Sequence, residues 1–141
     1  MKIAELKEYR KILNNVQSIE KQIISLESQI NKITSVVNDT PRGGKTSDKS
    51  ELICKLVDLR EQYKTTYSAA VKKLKKIEAA IEQLNDPREQ AVLRFKYIVG
   101  LPMFQICEEL HYERTKVYEI HMSAIKNLEK IKTRTKTDTN M

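Results

Sequence analysis

Residues 100–128 read GLPMFQICEELHYERTKVYEIHMSAIKNL, and this stretch decides how the C-terminal part of the chain is organised. A short helical pattern opens at Pro102 and ends at Leu110, and a longer one begins after residues 111–113. A break this short suits the sharp angle between the two helices of a helix-turn-helix. The stretch therefore predicts two helices joined by a tight turn.

The helix before this stretch has clear start and stop signals. Asp86 is a typical N-cap, Pro87 suits the first helical position, and Glu89 can reach back to the cap from the third. Gly100 can end the helix in the left-handed conformation. These signals predict a domain of three helices over residues 86–132.

The last of the three helices is amphipathic. At 100° per residue its apolar side chains fall on one face, which we expect to pack against the two preceding helices. That face consists of Val117, Ile120, Ala124, Leu128 and Ile131. Residues 114–136 also hold seven Lys and Arg against two Glu. Such a basic strip is typical of a surface that follows phosphates, although solvated tails share this composition.

Two long heptad-like patterns occupy the N-terminal part of the chain. Apolar residues alternate steps of three and four over residues 6–37 and again over residues 52–84. This spacing predicts two coiled-coil helices of about 36 residues, each ~50 to 55 Å long. The matched lengths favour pairing of the two helices with each other or with copies of themselves.

The polar residues 39–50 separate the two patterns and contain two of the three glycines. Asp48 followed by Glu51 resembles a capping box for the second helix. We therefore expect a loop at 39–50 and an antiparallel helical hairpin over residues 1–85. The fold class predicted for the whole chain is all-α.

Two heptad seams carry more apolar surface than one thin hairpin can enclose, which predicts a homo-oligomer formed through the hairpin. The side chains expected at that interface are Leu56, Leu59, Tyr63, Leu74, Ile77 and Ile81.

The sequence offers little for catalysis or metal binding. Cys54 and Cys107 have no CxxC spacing, and we expect both to be buried reduced thiols. Cys107, His111 and His121 lie near one another in sequence, but no acid or second cysteine completes a metal site. Catalytic triads, phosphate-binding glycine loops and paired-carboxylate motifs are absent. We expect no enzyme activity, no cofactor and no small-molecule substrate.

A membrane location is also not expected. No stretch approaches ~18 consecutive apolar residues. The N-terminal MKIAELKEYR carries charges where a signal peptide needs an apolar run. The sequence therefore predicts a cytoplasmic protein with no membrane partner.

The run LRFKYIVGLPMFQICEELHYERTKVYEIHMSAIKNLEKI, residues 93–131, resembles region 4 of bacterial sigma factors. In that region a helix ends at Gly, Leu-x-x-x-x-Ile marks the next helix, and Val-x-x-Ile-x-x-x-Ala-x-x-x-Leu marks the recognition helix. The matching positions are Gly100, Leu101, Ile106, Val117, Ile120, Ala124 and Leu128. His111 stands where such turns usually carry Gly, and His tolerates a positive φ better than most residues.

The layout of nearly the whole chain resembles small phage and prophage proteins of Gram-positive bacteria, sigma-like transcription regulators related to the ArpU type. The shared features are PRGG at residues 41–44 followed by Asp48 and Lys49, DPRE at residues 86–89, and Val117, Tyr118 and His121. The resemblance implies a regulator that acts in the bacterial host cytoplasm, binds double-stranded DNA, and uses its helical hairpin for oligomerisation or for contact with a partner such as RNA polymerase.

The same resemblance assigns DNA-binding positions. Those expected to face the major groove are Arg114, Thr115, Lys116, Tyr118 and Glu119, while Lys126, Lys130 and Lys132 are expected to follow phosphates. Residues 133–141 form a basic and polar tail after the domain. Two other functions remain open: a small-terminase-like DNA packaging factor, and an adaptor that docks on polymerase without reading DNA.

Overall fold

The computed structural model describes residues 1–39 and 44–131, and every regular element in these ranges is helical. The predicted all-α class is confirmed. Lys132 and the tail at 133–141 lie outside the described residues. The helices are α1 (Ile3–Asp39), α2 (Gly44–Glu82), α3 (Pro87–Leu93), α4 (Met103–Leu110) and α5 (Arg114–Lys130), and a π-helical segment, Arg94–Val99, continues α3.

Helices α1 and α2 pair within one chain as a hairpin. Arg60 Nη2 lies 2.8 Å from Glu27 Oε2, and Lys73 Nζ lies 3.0 Å from Glu8 Oε2. The partners follow opposite orders along the two helices, so the hairpin is antiparallel. The structure thus shows one of the two arrangements that the sequence left open, the pairing of the two helices within one chain.

The start of α2 differs from the prediction. Helix α2 begins at Gly44, so residues 44–50 of the predicted loop are helical and Asp48 lies inside α2 rather than capping it. The remaining loop residues, 40–43, lie outside the described residues. A capping-box pattern signals a helix start only where no earlier residue continues the helix.

The chain divides into two compact units. Unit 1 consists of Met1–Lys11 and the chain from Val71 onward, and unit 2 is Ile12–Ala70. The boundary predicted after residue 85 falls inside unit 1, because the end of α2 is bound to α3. The side-chain amide of Gln90 donates to the carbonyls of Ile81 at 3.1 Å and Leu84 at 3.0 Å.

The core of unit 1 combines the ends of the long helices with the three short ones. Fully buried apolar side chains stabilise a fold by about 1.5–3 kcal/mol each, so this core dominates the stability of the unit. Its most buried members are Leu6, Ile77, Ile81, Val92, Leu93, Ile106, Val117, Ala124 and Leu128.

The residues expected at an oligomer interface are largely used inside one chain. Leu56, Ile77 and Ile81 are buried, with Ile81 at 0 % exposure, while Leu59, Tyr63 and Leu74 are half-buried. Side chains already withdrawn from water have little area left to bury against a second copy. Oligomerisation through these six residues stays a prediction.

Candidate nucleic-acid interface

The turn between α4 and α5 has the three-residue length that the sequence predicts. Helix α4 ends at Leu110, and His111 adopts the left-handed conformation with φ 59° and ψ 40°. The Tyr112 N–H donates to the Cys107 carbonyl at 3.2 Å. Glu113, with extended backbone, precedes α5, and its carbonyl accepts from the Val117 N–H at 3.0 Å. The prediction that His111 supports a positive φ is confirmed.

Helix α5 is fixed by one apolar face. Val117, Ala124 and Leu128 are 0 % exposed and Ile120 is 5 % exposed, as predicted. Val117 and Ile120 belong to one buried cluster with Val92 of α3 and Ile106 of α4. The remaining predicted member of this face, Ile131, is half-buried.

A polar contact that sequence reasoning missed adds to this anchoring. The carboxylate of Glu89 is 6 % exposed and accepts from the Ser123 hydroxyl at 2.8 Å and the Asn127 side-chain amide at 2.9 Å. Glu89 therefore binds α5, whereas the sequence predicted that it reaches back to cap α3. The only available signal was the i, i+4 spacing of Ser123 and Asn127, which places both on one face of α5.

The cap of α3 is formed by Asp86 alone. Its carboxylate accepts from the Arg88 backbone N–H at 2.9 Å and lies 3.1 Å from Arg88 Nη2. These hydrogen bonds from Arg88 lower the pKa of the Asp86 carboxyl below its usual range. Asp86 has extended backbone and Pro87 is the first helical residue, as the sequence predicts.

The end of the π-helical segment is held by a glycine and an arginine. Gly100 has φ 89°, and its N–H donates to the Phe95 carbonyl at 2.9 Å. Arg10 of α1 donates to the Ile98 carbonyl at 3.2 Å, and a Cβ at position 100 would lie 2.5 Å from its Nη2. The left-handed backbone favours Gly at position 100, and a Cβ there would also displace the end of the flexible Arg10 side chain.

The predicted DNA-binding residues share the exposed side of α5. At its start, Arg114, Thr115, Lys116, Tyr118 and Glu119 are all exposed, and Tyr118 is 57 % exposed. Lys126 and Lys130 are exposed further along the helix. The structure thus places these seven residues on the solvent-facing side of one helix, and the eighth, Lys132, lies outside the described residues.

His121 lies on the buried side of α5 instead. Its Nε2 is 2.9 Å from the Tyr97 hydroxyl, and the two rings stack with centroids 5.8 Å apart. Burial lowers the pKa of His121 below its usual value, with smaller contributions from Lys96 and Lys7, and burial raises the pKa of Tyr97. This histidine is part of the core rather than of the exposed surface.

The cysteines differ in their surroundings. Cys107 is half-buried, but Cys54 is exposed, which contradicts the prediction of a buried thiol at that position. Cys54 lies on the outer side of α2. Only the packing face of such a long helix is withdrawn from water.

Within residues 1–39 and 44–131, no group of three or more His, Cys, Asp or Glu side chains is arranged to hold a metal ion. No helix in the same ranges is long and apolar enough to cross a membrane.

These features define an all-helical protein with a long hairpin and a C-terminal helix-turn-helix whose second helix exposes basic and hydrogen-bonding side chains. The family described as "Protein of unknown function (DUF1492)" matches residues 32–129, which is more than half of the chain. The chain belongs to this family. No curated protein and no solved structure is significantly similar to it.

Proposed function

We propose that the protein is a sequence-specific DNA-binding transcription regulator of the sigma-like phage and prophage type, with α5 as its recognition helix. The observation that carries the proposal is that the first turns of α5 have one buried side and one exposed side. Val117 and Ile120 are buried in the core, while Arg114, Lys116 and Tyr118 between and before them are exposed. A recognition helix requires this combination of a fixed backbone and free reading side chains.

The exposed side chains fit the chemistry of the major groove. Arg114 and Lys116 can donate to guanine O6 and N7 or to phosphate, and Glu119 can accept from cytosine N4. Thr115 and Tyr118 can contact a thymine methyl group or a phosphate. Lys126 and Lys130, farther from the start of the helix, are placed to neutralise phosphates.

The regulator is proposed to contact bacterial RNA polymerase as well as DNA. The support for polymerase contact is the resemblance to sigma factors, so polymerase contact has a test of its own. Polymerase binding by a full chain that selects no DNA sequence would favour the adaptor function. Assembly into closed rings would favour the packaging function.

The proposed function is tested by selecting bound sequences from random double-stranded DNA with the full chain. We expect one enriched motif, and we expect Arg114→Ala and Lys116→Ala each to cost about 1–3 kcal/mol of binding to it. Lys55→Ala, which removes an exposed lysine of α2, is the matched control and should leave the motif and its affinity unchanged. Recovery of no motif would refute sequence-specific binding.

A further inference from the structure

Unit 2 has one face with an unusual number of exposed apolar side chains. On α2, Ile53, Val57 and Tyr67 are 42 %, 52 % and 50 % exposed, and on α1, Ile24 is 58 % exposed. We call this surface the Arg60 face, and define it by these four residues together with the ion pair of Glu27 and Arg60.

Helical spacing places these residues on one side of the hairpin. Ile53, Arg60 and Tyr67 are seven residues apart, and Val57 is within one turn of both Ile53 and Arg60. Ile24 precedes Glu27 by three residues, and Glu27 is bound to Arg60 at 2.8 Å. The apolar surface of α2 is therefore wider than the narrow seam of a two-helix coiled coil, and resembles the stripe of a helix packed in a larger bundle.

We propose that the Arg60 face binds a second copy of the chain, with the two α2 helices antiparallel and the two-fold axis near Arg60. Ile53 and Tyr67 lie seven residues on either side of Arg60. An antiparallel pairing centred on Arg60 places Ile53 of each copy opposite Tyr67 of the other. A two-fold interface requires this self-complementary order, in which i meets j and j meets i.

The charges of this face permit the approach of an identical chain. Glu20 lies one turn from Ile24, and Lys64 lies one turn from Arg60. With Glu27 and Arg60, and with Lys21, Lys49 and Glu61 at the same one-turn spacing, they give four positive and three negative charges, a sum of +1, whereas the whole chain carries +7. The Glu27 carboxylate also compensates each Arg60 guanidinium near the proposed axis. Two copies therefore meet here without the repulsion expected between their other surfaces.

The size of the face matches what a stable dimer needs. From residue 49 to residue 70, α2 is about 33 Å long at 1.5 Å per residue, and two helices side by side are about 20 Å wide. The flat footprint of this side of unit 2 is therefore about 660 Å², and its accessible surface exceeds the footprint, which leaves room for the ~800 Å² that each partner buries in a standard interface.

The test is the oligomeric state of the full chain by sedimentation equilibrium. We expect a dimer, and we expect Ile24→Glu and Val57→Glu each to weaken it at least about tenfold, because a carboxylate would lose its water at the interface. Both side chains are more than half exposed in one chain, so helicity by circular dichroism should not change. Ser25→Glu, an exposed neighbour on another side of α1, is the control and should leave the dimer intact.

Cysteine cross-linking tests the direction of the helices. In the proposed pairing the two Cys54 residues are twelve positions apart, about 18 Å along the axis. That distance exceeds the ~7 Å between Cα atoms that a disulfide can bridge. Mild oxidation should leave Cys54 uncross-linked, while chains with Ile53→Cys should form disulfides with chains carrying Tyr67→Cys, both in a Cys54→Ser and Cys107→Ser background.

Three results would overturn the proposal: a monomer at all concentrations, a dimer that tolerates both Ile24→Glu and Val57→Glu, or rapid disulfide formation between two Cys54 residues. None of these results bears on DNA binding by α5, because the Arg60 face belongs to unit 2 and α5 to unit 1. The dimer and the proposed function can therefore fail separately.

Discussion

The carboxylate of Glu89 accepts two contacts from the side-chain amide of Asn127, with its oxygens 2.9 Å and 3.1 Å from the amide nitrogen. The two residues are 38 positions apart, on α3 and α5. Because Glu89 is buried, it connects the start of α3 with the second half of the proposed recognition helix where water competes little.

Replacement of Glu89 by Ala should lower the free energy of unfolding by about 1–3 kcal/mol, because the donors of Asn127 and Ser123 lose a buried charged acceptor. Chemical denaturation measures this change. A double-mutant cycle with Asn127→Ala isolates the pair, and a coupling energy near zero would show that the contact contributes nothing. Glu89→Gln should cost less than Glu89→Ala, because it retains one acceptor oxygen.

Gly100→Ala should destabilise the protein by about 1–3 kcal/mol, because a non-glycine residue is strained in the left-handed region. The new Cβ must also displace the Arg10 guanidinium from a position 2.5 Å away. Thermal or urea unfolding is the measurement. Val99→Ala, at the adjacent exposed residue, is the control and should stay within about 0.5 kcal/mol of the parent chain. Equal stability of the two variants would contradict the strain argument.

His111→Gly should stabilise the protein, whereas Gly100→Ala should destabilise it. His111 has φ 59°, so replacing it with Gly removes backbone strain of about 1–2 kcal/mol. Gly also loses more conformational entropy on folding, which costs about 0.5–1 kcal/mol. We expect a net gain of about 0.5 kcal/mol in the free energy of unfolding. A clear loss of stability would mean that the imidazole makes a contact that outweighs its backbone strain.

Stability should fall as the pH falls below about 6.5 because of His121. Burial lowers the pKa of His121 in the folded chain, so as the pH falls the unfolded chain takes up a proton before the folded chain does. The stabilisation that neutral His121 provides is complete above the pKa of the unfolded chain. It is lost as the pH falls toward the lower pKa of the folded chain.

The measurement is the free energy of unfolding between about pH 7.5 and about pH 5.5, one unit on either side of the ordinary pKa of histidine. His121→Gln should remove most of the dependence in this window. His111→Gln retains His121 and should retain the dependence too. Asp86 acts in a different window, because the stabilisation that comes with its lowered carboxyl pKa is present above the ordinary value of 3.8 and is lost only as the pH falls below it.

Base-reading and phosphate-binding residues of α5 should respond differently to salt. Lys126→Ala and Lys130→Ala should each weaken binding to all DNA sequences alike and reduce the salt slope by about 1. Arg114→Ala should instead relax preference at one position of the selected motif. Fluorescence anisotropy over a salt series distinguishes the two effects. The reverse pattern would show that α5 does not lie in the major groove.

The C-terminal helices were predictable because their signals are local. Asp86, Gly100 and His111 each specify a backbone conformation through their own side chain or its absence, and the apolar face of α5 follows from its 3.6-residue period. The exposure of its basic residues follows from the same period.

Other features depend on contacts that the sequence does not encode locally. The partner of Glu89 lies on another helix, so DPRE predicted a capping role for Glu89 and gave no sign of its contact with α5. The π-helical segment has no composition of its own, because it differs from an α-helix only in hydrogen-bond register. Residues 1–11 join unit 1 through tertiary packing, which heptad spacing does not reveal.

The π-helical segment Arg94–Val99 makes the chain sensitive to length at this point. A π-helical turn accommodates one residue more than an α-helical turn, so it has the form of a single-residue insertion into the helix that starts at Pro87. Removing one residue there would restore α-helical hydrogen bonding and shift the side chains within the segment, while the residues after it would keep their places. Tyr97 would then no longer face His121. Relatives that lack this residue are therefore expected to carry a different pair of side chains at these two positions.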